Sequence, residues 1–273
     1  ADLFNITDAQ RQAGWNSLIK QSHNWEDDIL RTGKIIQHQL TISGHENKTN
    51  YYVSFQKYDQ DGITVGSAFK RYTGKLNLST AVKPWFTFSN NTNFGESSSN
   101  ELRDIYNAQN PFYSIYGYNT YEPVYNKDGS YNLTSQGFPI LEALVNNPES
   151  KKYLNGYNST TLDFHPIKGL NVSSQLGLTY TDYTRSVFIK PGSVLDSYIA
   201  DPSNPGEKTD NGSVEFGIDW INKAIYKFDV NEDHHFNILA VQEFQKDQFN
   251  SYSLSKKGFA SGDLSTQDNG AAN

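Results

Sequence analysis

Lys34-Ile35-Ile36-Gln37-His38-Gln39-Leu40-Thr41-Ile42-Ser43 decides the fold class, because Ile36, His38, Leu40 and Ile42 alternate with Gln37, Gln39, Thr41 and Ser43. A period of two sends successive side chains to opposite faces of an extended chain, whereas a helix would repeat every 3.6 residues. After a short connection, Gly44 to Lys48, the pattern returns: Tyr51, Val53 and Phe55 against Tyr52, Ser54 and Gln56. Two such runs with a tight polar connection predict an antiparallel hairpin.

Outward from this hairpin the same period recurs. Tyr72, Gly74, Leu76 and Leu78 alternate with Thr73, Lys75, Asn77 and Ser79, and Ala81 to Trp85 turns the chain into Phe86 and Phe88. Further strands are expected at Thr160 to Phe164, Leu170 to Tyr180, Val214 to Phe228 and Phe236 to Val241. Long irregular segments fall at about 95–154 and 186–211, and the Gly-, Ser- and Asp-rich end reads as disordered. Connections alternate between short and long, as in outer-membrane barrels with short periplasmic turns and long extracellular loops. About eight strands result, enough to close a small barrel. Before them, Thr7 with Gln10 reads as a capping box, and Asn24 opens a second helical turn rich in Glu26, Asp27 and Asp28.

Composition agrees with a barrel without requiring one. Of 273 residues 36% are hydrophobic and 14% aromatic, with 18 Tyr and 16 Phe. No stretch approaches the roughly 18 consecutive apolar residues of a membrane helix, whereas barrel strands average to a soluble-looking hydropathy. There is no Cys, hence neither disulfides nor thiolate metal sites, and the net charge of −7 offers no basic footprint for nucleic acid. The sequence has no Met, so Ala1 does not read as a translation start; no leader precedes it, and the polar ending at Asn273 looks like a cut, so the chain reads as a piece.

Specific motifs sharpen this. Trp25-Glu26-Asp27-Asp28-Ile29-Leu30-Arg31-Thr32-Gly33 resembles the segment where SusC/RagA-type TonB-dependent transporters pass from plug into barrel. Gln39-Leu40-Thr41-Ile42-Ser43-Gly44 with Lys48-Thr49-Asn50-Tyr51-Tyr52 is similar to that family's first hairpin. Asp59-Gln60-Asp61-Gly62-Ile63, Phe69-Lys70-Arg71-Tyr72 and Leu76-Asn77-Leu78 continue the resemblance. Asn107-Ala108-Gln109-Asn110-Pro111-Phe112 and Tyr121-Glu122-Pro123-Val124-Tyr125 resemble its first large extracellular loop. The match is dense over residues 20 to 125.

The resemblance implies an all-β fold: an antiparallel transmembrane meander of about eight strands from a 22-stranded barrel, with a short N-terminal helical segment. Residues 1–33 would be the end of the plug and its connection, and 34–273 the N-terminal part of the barrel with long extracellular loops. It implies an outer-membrane importer of oligosaccharides or peptides, partnered by a SusD-like surface lipoprotein, by outer-membrane lipid, and by TonB through an N-terminal region this chain lacks. No cofactor is implied. A soluble glycan-binding β-sandwich and a small closed outer-membrane barrel stay open as alternatives.

Candidate chemistry is sparse, and no nucleophile–base pair suggests an enzyme. His234-His235 beside Glu232 and Asp233 reads better as a solvated turn than as a metal site, since neighbouring strand residues diverge. Asp59-Gln60-Asp61-Gly62 lacks the later ligands of a calcium loop and fits a hairpin turn. The substrate-binding candidates are Phe112, Tyr113, Tyr116, Tyr118, Tyr121 and Tyr125, whose rings can stack on sugar C–H faces, the alternative being packing within the loop. Ile36, Leu40, Ile42, Tyr51, Val53, Phe55, Leu76, Leu78, Leu162, Leu176, Leu178, Phe216 and Ile218 are expected toward lipid, and Gln39, Thr41, Ser54, Gln56 and Asn77 toward the lumen.

Overall fold

A computed structural model describes residues 7–20, 22–101, 110–132, 139–199 and 201–272. Two helices, α1 (Asp8–Ile19) and α2 (Trp25–Ile29), lead into β1 (Lys34–Glu46), β2 (Thr49–Asp61), β3 (Ala68–Lys83) and β4 (Phe86–Glu101). Then come α3 (Pro111–Gly117), α4 (Ile140–Asn146), β5 (Glu149–Phe164), β6 (Leu170–Ile189) and α5 (Val194–Ile199). The chain closes with β7 (Glu207–Val230), β8 (His234–Phe259) and the short β9 (Gly270–Ala272).

Every strand pairs antiparallel with its sequence neighbour, in one sheet ordered β1 to β9. β1 and β9 stand at opposite ends of that order, with no pairing between them among the described residues. Both capping expectations appear: Thr7 and Gln10 form a reciprocal capping box on α1, and the Asn24 side chain accepts the Glu26 N–H on α2.

Directly opposed residues share a face, so the ladder assigns faces across the sheet. Leu40 opposes Phe55, Ile42 opposes Val53, Val53 opposes Leu76, and Tyr51 opposes Leu78. Through β4 and β5 the same face continues to Leu162, Leu176 and Leu178, then to Ile218 and Phe216. All the residues expected toward lipid therefore lie on one face, called outer below. Gln39, Thr41, Ser54, Gln56 and Asn77 lie on the other, inner face.

The two ends of the sheet differ. At one end the connections are brief: Asn47 and Lys48, Pro84 and Trp85, 165–169, and 231–233. Asn47 and Asn231 adopt positive φ of 53° and 64°, a conformation Asn tolerates better than most residues. On the outer face just above these turns Phe86 stacks on Phe164, with centroids 4.8 Å apart, and Phe228 stacks on Phe236 at 5.2 Å. Such a row matches the aromatic girdle of a membrane barrel. The other end carries 62–67, 102–148, 190–206 and 260–269, and, among the described residues, all the buried apolar core.

Several sequence expectations need correction. β4 runs to Glu101 and β5 starts at Glu149, so the first long connection is shorter than expected. Ser97 to Asn100 carries no apolar alternation, yet it pairs with β3 and with β5, because backbone ladders satisfy themselves whatever the side chains. Likewise β6 and β7 shorten the second long segment to 190–206. Residues 260–272 are structured: Gln267 donates to Asp210 Oδ2 at 2.9 Å, and β9 pairs with β8 as a ninth strand. The 62–67 connection has only six residues, so long and short do not alternate strictly.

Candidate functional site

At the long-connection end, four segments meet around one tryptophan. α2 presents Trp25 and Ile29 inward, 5% and 0% exposed, into a core with Tyr118, Val124, Ile140 and Leu141. Trp25 Nε1 donates to the Asn119 carbonyl at 3.1 Å, which satisfies its buried polar atom. Its ring takes edge-on contacts from His23, centroids 5.1 Å apart, and from Tyr118 at 4.8 Å. His23 Nε2 lies 2.5 Å from Asp28 Oδ2, and the His23 N–H donates to the Thr120 carbonyl.

This core is fastened to the sheet by Arg31. Its Nε donates to the Gly62 carbonyl at 2.9 Å and its Nη2 to the Ser67 carbonyl at 2.8 Å. The Arg31 N–H reaches the Ile63 carbonyl, and the Val65 N–H reaches that of Ile29. The planar guanidinium thus holds both sides of the β2–β3 connection with fixed geometry, which a lysine could not reproduce.

α3 begins at Pro111, capped by the Asn110 side chain, which accepts the Phe112 N–H at 2.9 Å. Beyond it Tyr125 and Tyr131 form an isolated antiparallel bridge with rings 5.2 Å apart. The turn between them is held by Asp128, which accepts from the Ser130 hydroxyl at 2.7 Å and from its N–H at 3.0 Å. These bonds, the hydroxyl's first, hold the Asp128 carboxyl below its ordinary range, while burial pushes the Tyr131 phenol up.

α4 and α5 are tied by polar groups taken out of water. Glu142, 6% exposed, accepts from Asn146 Nδ2 at 2.8 Å and from the Val194 N–H at 3.2 Å. The buried Asp196 carboxylate accepts from the Gly192 and Gly206 N–H groups, closing the base of the 190–206 connection. A cleft of about 250 Å³ remains beside α4, lined by Gly66, Ile140, Leu144, Asn147, Glu149 and Leu195 among others. Glu149 is paired there with Arg185 Nε at 2.6 Å.

The six aromatic candidates do not form one surface. Phe112, Tyr113 and Tyr116 stay exposed on α3, Tyr116 at 84%. Tyr121 is half-buried, Tyr125 leans on Tyr131, and Tyr118 is buried against Trp25. Residues 107–109 of the loop motif lie outside the described residues. At the turn end, His235 Nδ1 sits 2.6 Å from Asp229 on an exposed surface, and no metal-binding cluster occurs among the described residues. Sequence reasoning placed Gln39, Thr41 and Gln56 on the inner face but passed over Arg71 and Lys75 beside them. Their odd numbers on β3 put both on that face, a signal present in the period itself.

No protein-family model matches the chain. It is 23% identical over 231 residues to TonB-dependent receptor P26 of Formosa agariphila, an alignment covering 82% of this chain and 22% of the receptor. To TonB-dependent receptor SusC of Bacteroides thetaiotaomicron it is 23% identical over 249 residues, covering 81% of this chain and 25% of SusC. The chain thus spans about a quarter of the length of these curated relatives. The structure of the RagAB peptide transporter matches 93% of this chain and 29% of its own, at TM-score 0.76 and 22% identity. The RagAB importer in its open-open state matches 92% and 28%, at TM-score 0.75 and 23% identity.

Proposed function

We propose that this chain, whose sequence and fold resemble a segment of SusC/RagA-type TonB-dependent transporters, is part of the outer-membrane barrel of such an importer. The observation that carries this reading is a single meander with an outer apolar face, an inner polar face, and, among the described residues, helices α2 to α5 and the buried apolar core at one end. A β-sandwich would bury one sheet face against another, whereas Leu40, Ile42, Val53 and Phe55 stand 43–64% exposed.

In this reading residues 34–273 form barrel wall and loops in the outer membrane, and the full protein imports oligosaccharides or peptides with a SusD-like lipoprotein and TonB. Residues 23–33 suit a different place from the plug connection suggested by the sequence of 1–33. α2 packs on the 111–141 segment at the long-connection end, the external side of an outer-membrane barrel. They therefore belong to the external cap.

Because the chain has no Cys, single thiols report sidedness cleanly. In the full transporter, freed of any other cysteines, Tyr116→Cys should react with an impermeant maleimide on intact cells, and Ile167→Cys only after lysis. The reverse pattern sinks the orientation, and labelling of both only after lysis sinks the outer-membrane reading. Phe112, Tyr113 and Tyr116 are the aromatic candidates left free to touch substrate or lid. Replacing all three with Ala should lower uptake or lid association several-fold; unchanged values for both would reduce them to local packing.

A further inference from the structure

The inner face of β1–β3 has a composition that the rest of the wall lacks. It presents Gln39, Thr41, Asn50, Tyr52, Gln56, Tyr58, Gln60, Arg71, Lys75 and Asn77, and no carboxylate. Arg71 and Lys75 are exposed, and neither takes part in an ion pair among the described residues. The acidic side chains of these strands, Glu46, Asp59 and Asp61, lie on the outer face.

Arg71 is also held in place. Its Nη2 donates to Gln56 Oε1 at 3.1 Å, Gln56 Nε2 donates to Gln39 Oε1 at 3.4 Å, and Gln39 Nε2 donates to Thr41 Oγ1 at 3.2 Å. This relay crosses from β3 to β1 with every donor pointing the same way. The guanidinium also lies over the Tyr58 ring, 5.4 Å from its centroid, and the Lys75 ammonium lies 5.9 Å from that of Tyr52. A guanidinium carries five N–H donors in a rigid fork suited to carboxylate, sulfate or phosphate oxygens. Holding it in advance removes part of the entropy a ligand would otherwise have to overcome.

We infer that Arg71 and Lys75, on the inner wall of β1–β3, form a subsite for a carboxylate group on the transported nutrient. The inference rests on the transporter reading and adds the charge class of its cargo. Farther round the same face, β7 and β8 carry Glu215, Asp219, Glu243 and Asp247 around Lys223. Those carboxylates repel an anion and so localise it on β1–β3. The two cations are four residues apart along β3, about 13 Å at strand rise. That span favours an oligomer with repeated charges over a single small ion.

The test uses the purified full transporter and probes paired by charge. Hexameric oligogalacturonide is titrated against its carboxyl-reduced counterpart, and hexaglutamate against hexaglutamine. At least one charged probe should bind about tenfold or more tightly than its neutral partner, a preference that added salt weakens. Arg71→Gln with Lys75→Gln should abolish the preference, while Arg71→Lys with Lys75→Arg should retain most of it. Preference within the sugar pair or within the peptide pair identifies the source of the anion. Equal binding of charged and neutral probes, no binding of either, or equal loss of both in the Gln variant would overturn the inference. The maleimide pattern on Tyr116→Cys and Ile167→Cys stands apart from these outcomes, so failure of the subsite and failure of the transporter reading are separable.

Discussion

The outer faces of β1–β3 and of β4–β5 are continuous through one hydrogen-bond register, yet they are made differently. On β1–β3 the central positions are Leu40, Ile42, Val53, Phe55, Leu76 and Leu78, the kind of surface that hydrocarbon demands. Across the next ladder Leu76 opposes Thr92 and Leu78 opposes Asn90, and beyond them stand Asn158 and Thr160. These four close a ring. Asn90 Nδ2 donates to Thr160 Oγ1 at 2.9 Å, and Thr160 Oγ1 donates to Asn158 Oδ1 at 3.1 Å. Asn158 Nδ2 donates to Thr92 Oγ1 at 2.8 Å, and Thr92 Oγ1 returns to Asn90 Oδ1 at 2.8 Å. Each hydroxyl gives one bond and takes one. If the outer face meets lipid as proposed, the difference teaches that such a position excludes unsatisfied polar groups rather than polar groups as such.

The largest effect that sharpens this contrast is a charge placed on the apolar side. Leu40→Arg, near the middle of β1, should destabilise the full barrel by about 2–4 kcal/mol, the cost of a cation near the bilayer midplane. The measurement is the denaturant midpoint of the full transporter folded in phospholipid vesicles. Gln39→Arg, one residue away on the inner face, is the control and should change stability little. Equal tolerance of both would mean that the face carrying Leu40 does not meet lipid.

Reading the sequence worked where one side of a strand had a single demand to meet. β1, β2 and β3 alternate cleanly, apolar in one phase and polar in the other, so their faces were legible. β4 was not: Ser89, Asn90, Asn91, Thr92 and Asn93 are polar in both phases, and only the ladder from β3 shows which face each occupies. The capping residues Thr7 and Asn24 were readable because a cap is a local bond. The burial of Tyr118 was not, since it depends on Trp25, far away in sequence and brought close by the sheet. Arg71 and Lys75 were passed over for a related reason. Each is an ordinary lumenal charge alone, and the relay through Gln56 to Thr41 exists only once three strands are in register.

The smaller effect lies in the ring and separates two accounts of it. If the four side chains are tolerated because they satisfy one another, then breaking the ring should hurt more than deleting it. Thr160→Val keeps the shape but removes a hydroxyl, which strands the Asn90 N–H and the Asn158 carbonyl against lipid. An unsatisfied polar group costs about 1–3 kcal/mol, and lipid-embedded networks fall toward the lower figure. Replacing all four at once, Asn90→Leu, Thr92→Val, Asn158→Leu and Thr160→Val, leaves nothing unpaired and should be neutral within about 1 kcal/mol, or stabilising. The same denaturant midpoint in vesicles reads both. A quadruple variant that loses more stability than Thr160→Val would reverse the order. Its polar atoms would then be answering something outside the ring, and this stretch of the outer face would not be facing lipid.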